Sequence, residues 1–171
     1  ILLAKKFNFD AVKFQKRDLD ICIPEAQKNI VKETPWGNIT YLEYKKKIEL
    51  SELQYEQLLR FAKKTKIELF VSCWDTNSLN LVKRFKFKYN KIASAMITNI
   101  ELLNEVAKER KKTFISTGMS TMKDIEKAVK IFKKNKCKFV LMHSVSLYPC
   151  NENLLNLNLI KTLKNKFKCE V

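Results

Sequence analysis

The chain has 171 residues, 46% hydrophobic and 30% charged, a balance that excludes a disordered polymer and suits one folded core. It contains no apolar run of about 18 residues, which excludes a membrane-spanning helix. A net charge of +16 admits a basic nucleic-acid-binding module as an alternative, yet only four of the 34 basic residues are arginine and the lysines are dispersed, so neither nucleic acid nor membrane is the expected partner.

The elements alternate along the chain. Leu2, Leu3 and Ala4 before Lys5 and Lys6 read as the end of a helix, and residues 10–14 as a buried strand. Residues 16–50 form a long excursion holding Pro24, Pro35, Gly37, Trp36, Tyr41 and Tyr44, expected as a βα loop folding over the rim of the fold. Tyr55, Leu58, Leu59 and Ala62 then fall at helical spacing, followed by a strand at 67–73. A helix carrying Leu79, Val82 and Phe85 leads to a strand at 89–93.

A third helix, with Ile100, Leu103 and Ala107, carries an N-terminal capping signal in Thr98 and Glu101. Strand Thr113–Ser116 precedes a helix with Ile125, Ala128, Val129 and Phe132, capped by Thr121 and Asp124. Strand Phe139–Met142 precedes a helix at 155–167, after which 168–171 read as the start of another strand.

Such alternation requires parallel strands with crossover helices. With only Gly37 and Gly118, the chain has no glycine-rich dinucleotide turn, and polar residues follow strand after strand: Gln15, Ser72, Ser94, Ser116, Thr117, His143, Ser144 and Ser146. The expected fold is a partial (β/α)8 barrel of the TIM type, with parallel strands and outer helices. Five strands and the start of a sixth are fewer than the eight that close a barrel, so residues 1–171 are expected to be one partial barrel domain, incomplete at both ends. The isolated piece is expected to be inactive.

Five cysteines at irregular spacing, with no C-x-x-C, fit a reducing cytoplasm better than a disulfide framework. Residues 1–9 do not read as a signal peptide. Lys13 and Lys91 interrupt apolar strand patterns, where an unpaired ammonium is costly and an anionic ligand relieves the cost.

The strings Ala11-Val-Lys-Phe-Gln-Lys16, Thr34-Pro-Trp-Gly37 with Tyr41, Val71-Ser-Cys-Trp-Asp75, Asn90-Lys-Ile-Ala-Ser94, Ile115-Ser-Thr-Gly-Met119 and Leu141-Met-His-Ser-Val-Ser-Leu-Tyr-Pro149 occur in this order. Together they resemble the N-acetylneuraminate (sialic acid) synthases and their legionaminate and pseudaminate relatives. The resemblance implies condensation of phosphoenolpyruvate with N-acetylmannosamine or a related N-acetylated amino sugar, giving a nonulosonic acid and phosphate. Another phosphoenolpyruvate/aldehyde barrel synthase is the alternative within the same fold.

It further implies that Lys13, Gln15 and Lys91 are the catalytic residues and that Lys13, Gln15, Lys91, Ser94 and Ser116 bind phosphoenolpyruvate. Ser146 and Tyr148 would lie near either substrate, and Cys73 would be a small rim residue of the site. Ser144 stands where many relatives have cysteine, and Met96 where some have a sugar-contacting glutamate. Gly118 is expected to serve a sharp turn. The family uses a divalent metal, Mn or Mg; its histidine ligands lie beyond the equivalent of Val171, so none is expected here, and His143 is not assigned as one. The complete enzyme is expected to be a homodimer.

Overall fold

The computed structural model describes all residues, Ile1–Val171. It divides into two compact units, Ile1–Leu69 with Cys73–Lys86, and Phe70–Ser72 with Phe87–Val171. Five strands, Ala11–Lys16, Glu68–Cys73, Asn90–Ile92, Thr113–Ser116 and Phe139–Met142, are hydrogen-bonded in this order in one sheet.

The first unit opens with α1 (Leu2–Lys6) and β1 (Ala11–Lys16). Short helices α2 (Leu19–Cys22) and α3 (Glu25–Lys28) lead into an antiparallel hairpin of β2 (Val31–Thr34) and β3 (Gly37–Thr40), then α4 (Tyr41–Ile48). The excursion at 16–50 is therefore largely ordered secondary structure. Thr40 and Glu43 form a capping box at the start of α4, and Ser51 and Gln54 form another at α5 (Glu52–Thr65), each satisfying N–H groups left free by the first helical turn. The excursion returns where Glu49 accepts hydrogen bonds from the Lys16 ammonium at 3.2 Å and the Arg17 amide at 3.0 Å.

β4 (Glu68–Cys73) runs parallel to β1: the Glu68 amide donates to the Asp10 carbonyl and the Trp74 amide to the Lys16 carbonyl, so the partners advance together. α6 (Thr76–Lys83) follows, capped by Asp75, whose carboxylate accepts from the Ser78 amide at 2.6 Å.

In the second unit the middle of β4 pairs in parallel with β5 (Asn90–Ile92), β5 with β6 (Thr113–Ser116), and β6 with β7 (Phe139–Met142). Helices α7 (Ile100–Lys108), α8 (Met122–Lys134) and α9 (Asn158–Phe167) connect and follow them. The last residues add one parallel bridge, Val140 to Glu170, which is the strand start expected at 168–171.

Registered partners in a parallel sheet share a face. Ile92, Ile115 and Leu141 are fully buried on one face of the second unit, and Phe139 on that face meets Phe132 of α8 edge-on at 5.9 Å. Ile125, Ala128, Val129 and Phe132 form the buried stripe of α8, each large side chain contributing about 2 kcal/mol by leaving water. The opposite face carries Ser72, Lys91, Phe114 and Val140 in register, with Phe70, Tyr89 and Phe114 in mutual ring contact.

Two local expectations are corrected. Asn99, not Thr98, caps α7, because its carboxamide reaches the Leu102 amide at 3.0 Å. The helix expected at 155–167 begins only at Asn158, after an isolated 3-10 turn at Glu152–Leu154. The Thr121–Asp124 capping box is formed as expected.

Candidate active site

In the second unit the C-terminal ends of β5, β6 and β7 gather hydroxyl groups. Ser94 opens a 3-10 turn directly after β5, and its Oγ accepts from the Gly118 amide at 3.0 Å. A Cβ on Gly118 would collide with the Ser146 Oγ and stand 2.9 Å from the Ser94 Oγ and 3.0 Å from the Ser144 carbonyl. Ser94, Ser146 and the Ser144 carbonyl thus converge on one point of backbone. Gly118 is required there by space and not by turn conformation: the left-handed backbone belongs to its neighbour Met119, at φ 56°. This corrects the expectation of a turn glycine.

Ser116 is buried at the end of β6, and Thr117 gives both its amide and its hydroxyl to the Met142 carbonyl at 3.0 Å, stitching the ends of β6 and β7 together. Lys91 is half-buried on the face it shares with Ser72 and Phe114, and alternation along β6 puts Ser116 on that face too. Ser72, one of the strand-end polar residues, donates its hydroxyl to the Lys91 carbonyl at 3.2 Å. Tyr148 is fully exposed. Cys73 is 4% exposed and follows Leu69 and Val71 on the buried side of β4, so it is packed as core.

In the first unit Phe14 faces Leu50, Leu58 and Phe61, and alternation turns Lys13 and Gln15 to the other side of β1. Gln15 is further held through its carbonyl, which accepts 2.7 Å from the hydroxyl of fully buried Tyr55. Lys13 is exposed as a residue, yet partial desolvation of its ammonium, and then repulsion by Arg17, hold its pKa below the ordinary lysine value. Asp75 is no counter-ion for it: its carboxylate is occupied by the Ser78 amide and hydroxyl, the Asp18 amide and Cys22. The same carboxylate, after burial, pushes the Cys22 thiol up to about 12, leaving it unreactive.

No group of three His, Cys, Asp or Glu side chains is placed to hold a metal ion. His143 gives its Nε2 proton to the Leu155 carbonyl at 2.6 Å, so that nitrogen is not free to ligate, and Asp75 is committed to capping. These residues do not fit a divalent metal.

The sequence profile of the NeuB family matches residues 1–171. The N-acetylneuraminate-9-phosphate synthase of Drosophila melanogaster is 34% identical over 167 residues, covering 96% of this chain and 45% of that protein. The N,N'-diacetyllegionaminic acid synthase of Campylobacter jejuni is 32% identical over 176 residues, covering all of this chain and 53% of that protein. Among solved structures, the N-acetylneuraminic acid (sialic acid) synthetase of Leptospira borgpetersenii, in complex with citrate, superposes with a TM-score of 0.86 at 32% identity, covering 97% of this chain and 54% of that one. The chain spans about half the length of the relatives it matches. The partial-barrel fold class is borne out by this likeness together with the parallel strand order.

Proposed function

The chain belongs to the NeuB family, and from that membership we propose that the whole protein joins phosphoenolpyruvate to an N-acetylated amino sugar, with N-acetylmannosamine the leading acceptor. C3 of phosphoenolpyruvate forms a bond to the aldehyde carbon of the open-chain sugar, water supplies the oxygen at C2, and inorganic phosphate leaves, giving a nonulosonic acid. Residues 1–171 are read as part of one barrel synthase domain, with 16–50 as its long βα loop. The whole protein is read as a cytoplasmic homodimer whose metal ligands lie outside this chain.

The observation that carries the reading is the convergence of Ser94, Ser146 and the Gly118 backbone past the ends of β5 to β7, while Lys91 and Ser116 share one face of β5 and β6. Hydroxyls at fixed positions orient phosphate and carboxylate oxygens, and an ammonium offsets their charge. Lys91 is assigned to neutralise phosphoenolpyruvate, and Ser94, Ser116 and Ser146 to orient it. Lys13 and Gln15 of β1 are assigned to the same ligand on the sequence resemblance. Tyr148, fully exposed, is assigned to either substrate on the sequence resemblance, whereas Cys73 is buried as core.

The test is phosphate release from phosphoenolpyruvate by the full-length protein, with and without N-acetylmannosamine or its diacetamido relatives. Release that requires both substrates and matches nonulosonic acid formed supports the proposal. Release indifferent to the sugar, or no turnover with any N-acetylated amino sugar, phosphorylated or not, refutes it.

A further inference from the structure

Arg17 and Trp74 both lie in the first unit. Arg17 lies one residue past β1, at the two-residue spacing that follows Lys13 and Gln15. Its guanidinium carbon sits 4.1 Å from the centre of the Trp74 ring, a stacking that fixes the plane of the fork. Arg17 Nε and Trp74 Nε1 are both shielded from solvent, and neither has a hydrogen-bond acceptor. An N–H buried without an acceptor is costly, and two on one stacked pair call for a group that is absent from the protein itself.

The neighbouring acids do not supply it. Glu49 accepts from the Arg17 amide and the Lys16 ammonium, Asp18 from the Asn77 carboxamide at 2.9 Å and the Asp20 amide, and Asp75 from Ser78, Cys22 and the Asp18 amide. The guanidinium therefore has no carboxylate partner, while its positive charge is felt at Lys13. Two cations that repel each other, with donors unsatisfied and acids engaged elsewhere, describe a place prepared for an anion.

We propose that Arg17, held flat on Trp74, is a further substrate-binding residue that takes a phosphate oxyanion. The planar fork matches phosphate geometry, with the indole N–H as an additional donor. The proposal rests on the synthase reading and specifies its substrate. The phosphate has two sources: phosphoenolpyruvate itself, or an acceptor sugar that carries one. The Drosophila relative is named for a 9-phosphorylated product. Since phosphoenolpyruvate contributes the first three carbons of such a product, its acceptor bears the phosphate on carbon 6.

Steady-state kinetics of the full-length protein separate these sources, using N-acetylmannosamine and its 6-phosphate as acceptors at varied phosphoenolpyruvate. Arg17→Ala is expected to raise the KM of the substrate whose phosphate Arg17 holds by about tenfold or more, the loss of one charge-assisted hydrogen bond, with kcat less affected. Arg17→Lys is expected to restore part of that loss, and Trp74→Phe, which keeps a ring and removes the donor, to raise the same KM by a smaller factor. A raised KM for the 6-phosphate with that for phosphoenolpyruvate unchanged assigns the pair to the acceptor, and the converse assigns it to phosphoenolpyruvate. KM values for both within about twofold of wild type in a folded Arg17→Ala protein overturn the proposal. Wild-type protein without sugar-dependent phosphate release defeats the synthase reading and this inference with it, whereas intact kinetics in Arg17→Ala defeat this inference alone.

Discussion

The phenol of Tyr55 on α5 donates a 2.7 Å hydrogen bond to the main-chain carbonyl of Gln15 on β1, from a position fully closed to solvent. The bond ties the helix that follows the long excursion to the strand that precedes it. Burial, with the nearby charge of Glu49, pushes the phenol's pKa up, so it remains a donor throughout the working pH range. Tyr55→Phe leaves the Gln15 carbonyl without this partner and is expected to cost about 1–2 kcal/mol in a urea unfolding experiment on the full-length protein. An unchanged midpoint would show that the bond does not hold β1.

Gly118 separates space from backbone conformation as the reason for a glycine. Gly118→Ala drives a methyl group into Ser146 and Ser94, and overpacking of this kind costs about 1–3 kcal/mol. Phosphoenolpyruvate turnover is expected to fall sharply because the displaced hydroxyls are those assigned to it. Gly37→Ala meets no atom within 4 Å but strains a φ of +90°, and is expected to lose about 1 kcal/mol of stability while retaining turnover. Kinetics and unfolding of the two variants side by side check this contrast.

Lys91→Ala is expected to abolish phosphoenolpyruvate-dependent turnover while the far-ultraviolet circular dichroism is unchanged. Lys91 lies on the less covered face of the sheet, so the packed layer of Ile92, Ile115 and Leu141 is not disturbed. Wild-type kinetics in this variant would remove Lys91 from the site.

The depressed pKa of Lys13 gives a pH signature. Its charged form is disfavoured in the folded protein, first by desolvation and then by Arg17. Between the lowered value and the ordinary 10.5 the unfolded chain binds more protons, so this residue's contribution to stability is complete above 10.5 and is lost as pH falls through the folded pKa. A bound anion favours the ammonium, so the KM for phosphoenolpyruvate is expected to rise with pH across that window. Lys13→Arg, whose side chain does not titrate there, is expected to flatten the rise; an identical profile in both proteins would place Lys13 away from the anion.

Much of the parallel fold is legible from short apolar runs. Thr113–Ser116 and Phe139–Met142 are strands at the expected bounds because they are buried on a packed face and flanked by polar residues. The excursion at 16–50 is less legible: its proline, glycine and aromatic content suggests a loop, although Thr40 and Glu43 already have the spacing of the capping box that starts α4. Cys73 shows the limit of reading strand ends as rim, since one residue decides the face, and Cys73 follows buried Leu69 and Val71 while Ser72 shares the face of Lys91. Arg17 and Trp74 could not be found from sequence. Two donors without acceptors are a property of tertiary packing, and no local pattern announces it.

The most direct measurement is a crystal structure of the full-length protein with phosphoenolpyruvate bound. The account predicts the ligand's phosphate and carboxylate oxygens within hydrogen-bonding distance of the Ser94, Ser116 and Ser146 hydroxyls and the Lys91 ammonium. Phosphoenolpyruvate bound elsewhere, with those four side chains contacting only protein or solvent, would contradict it.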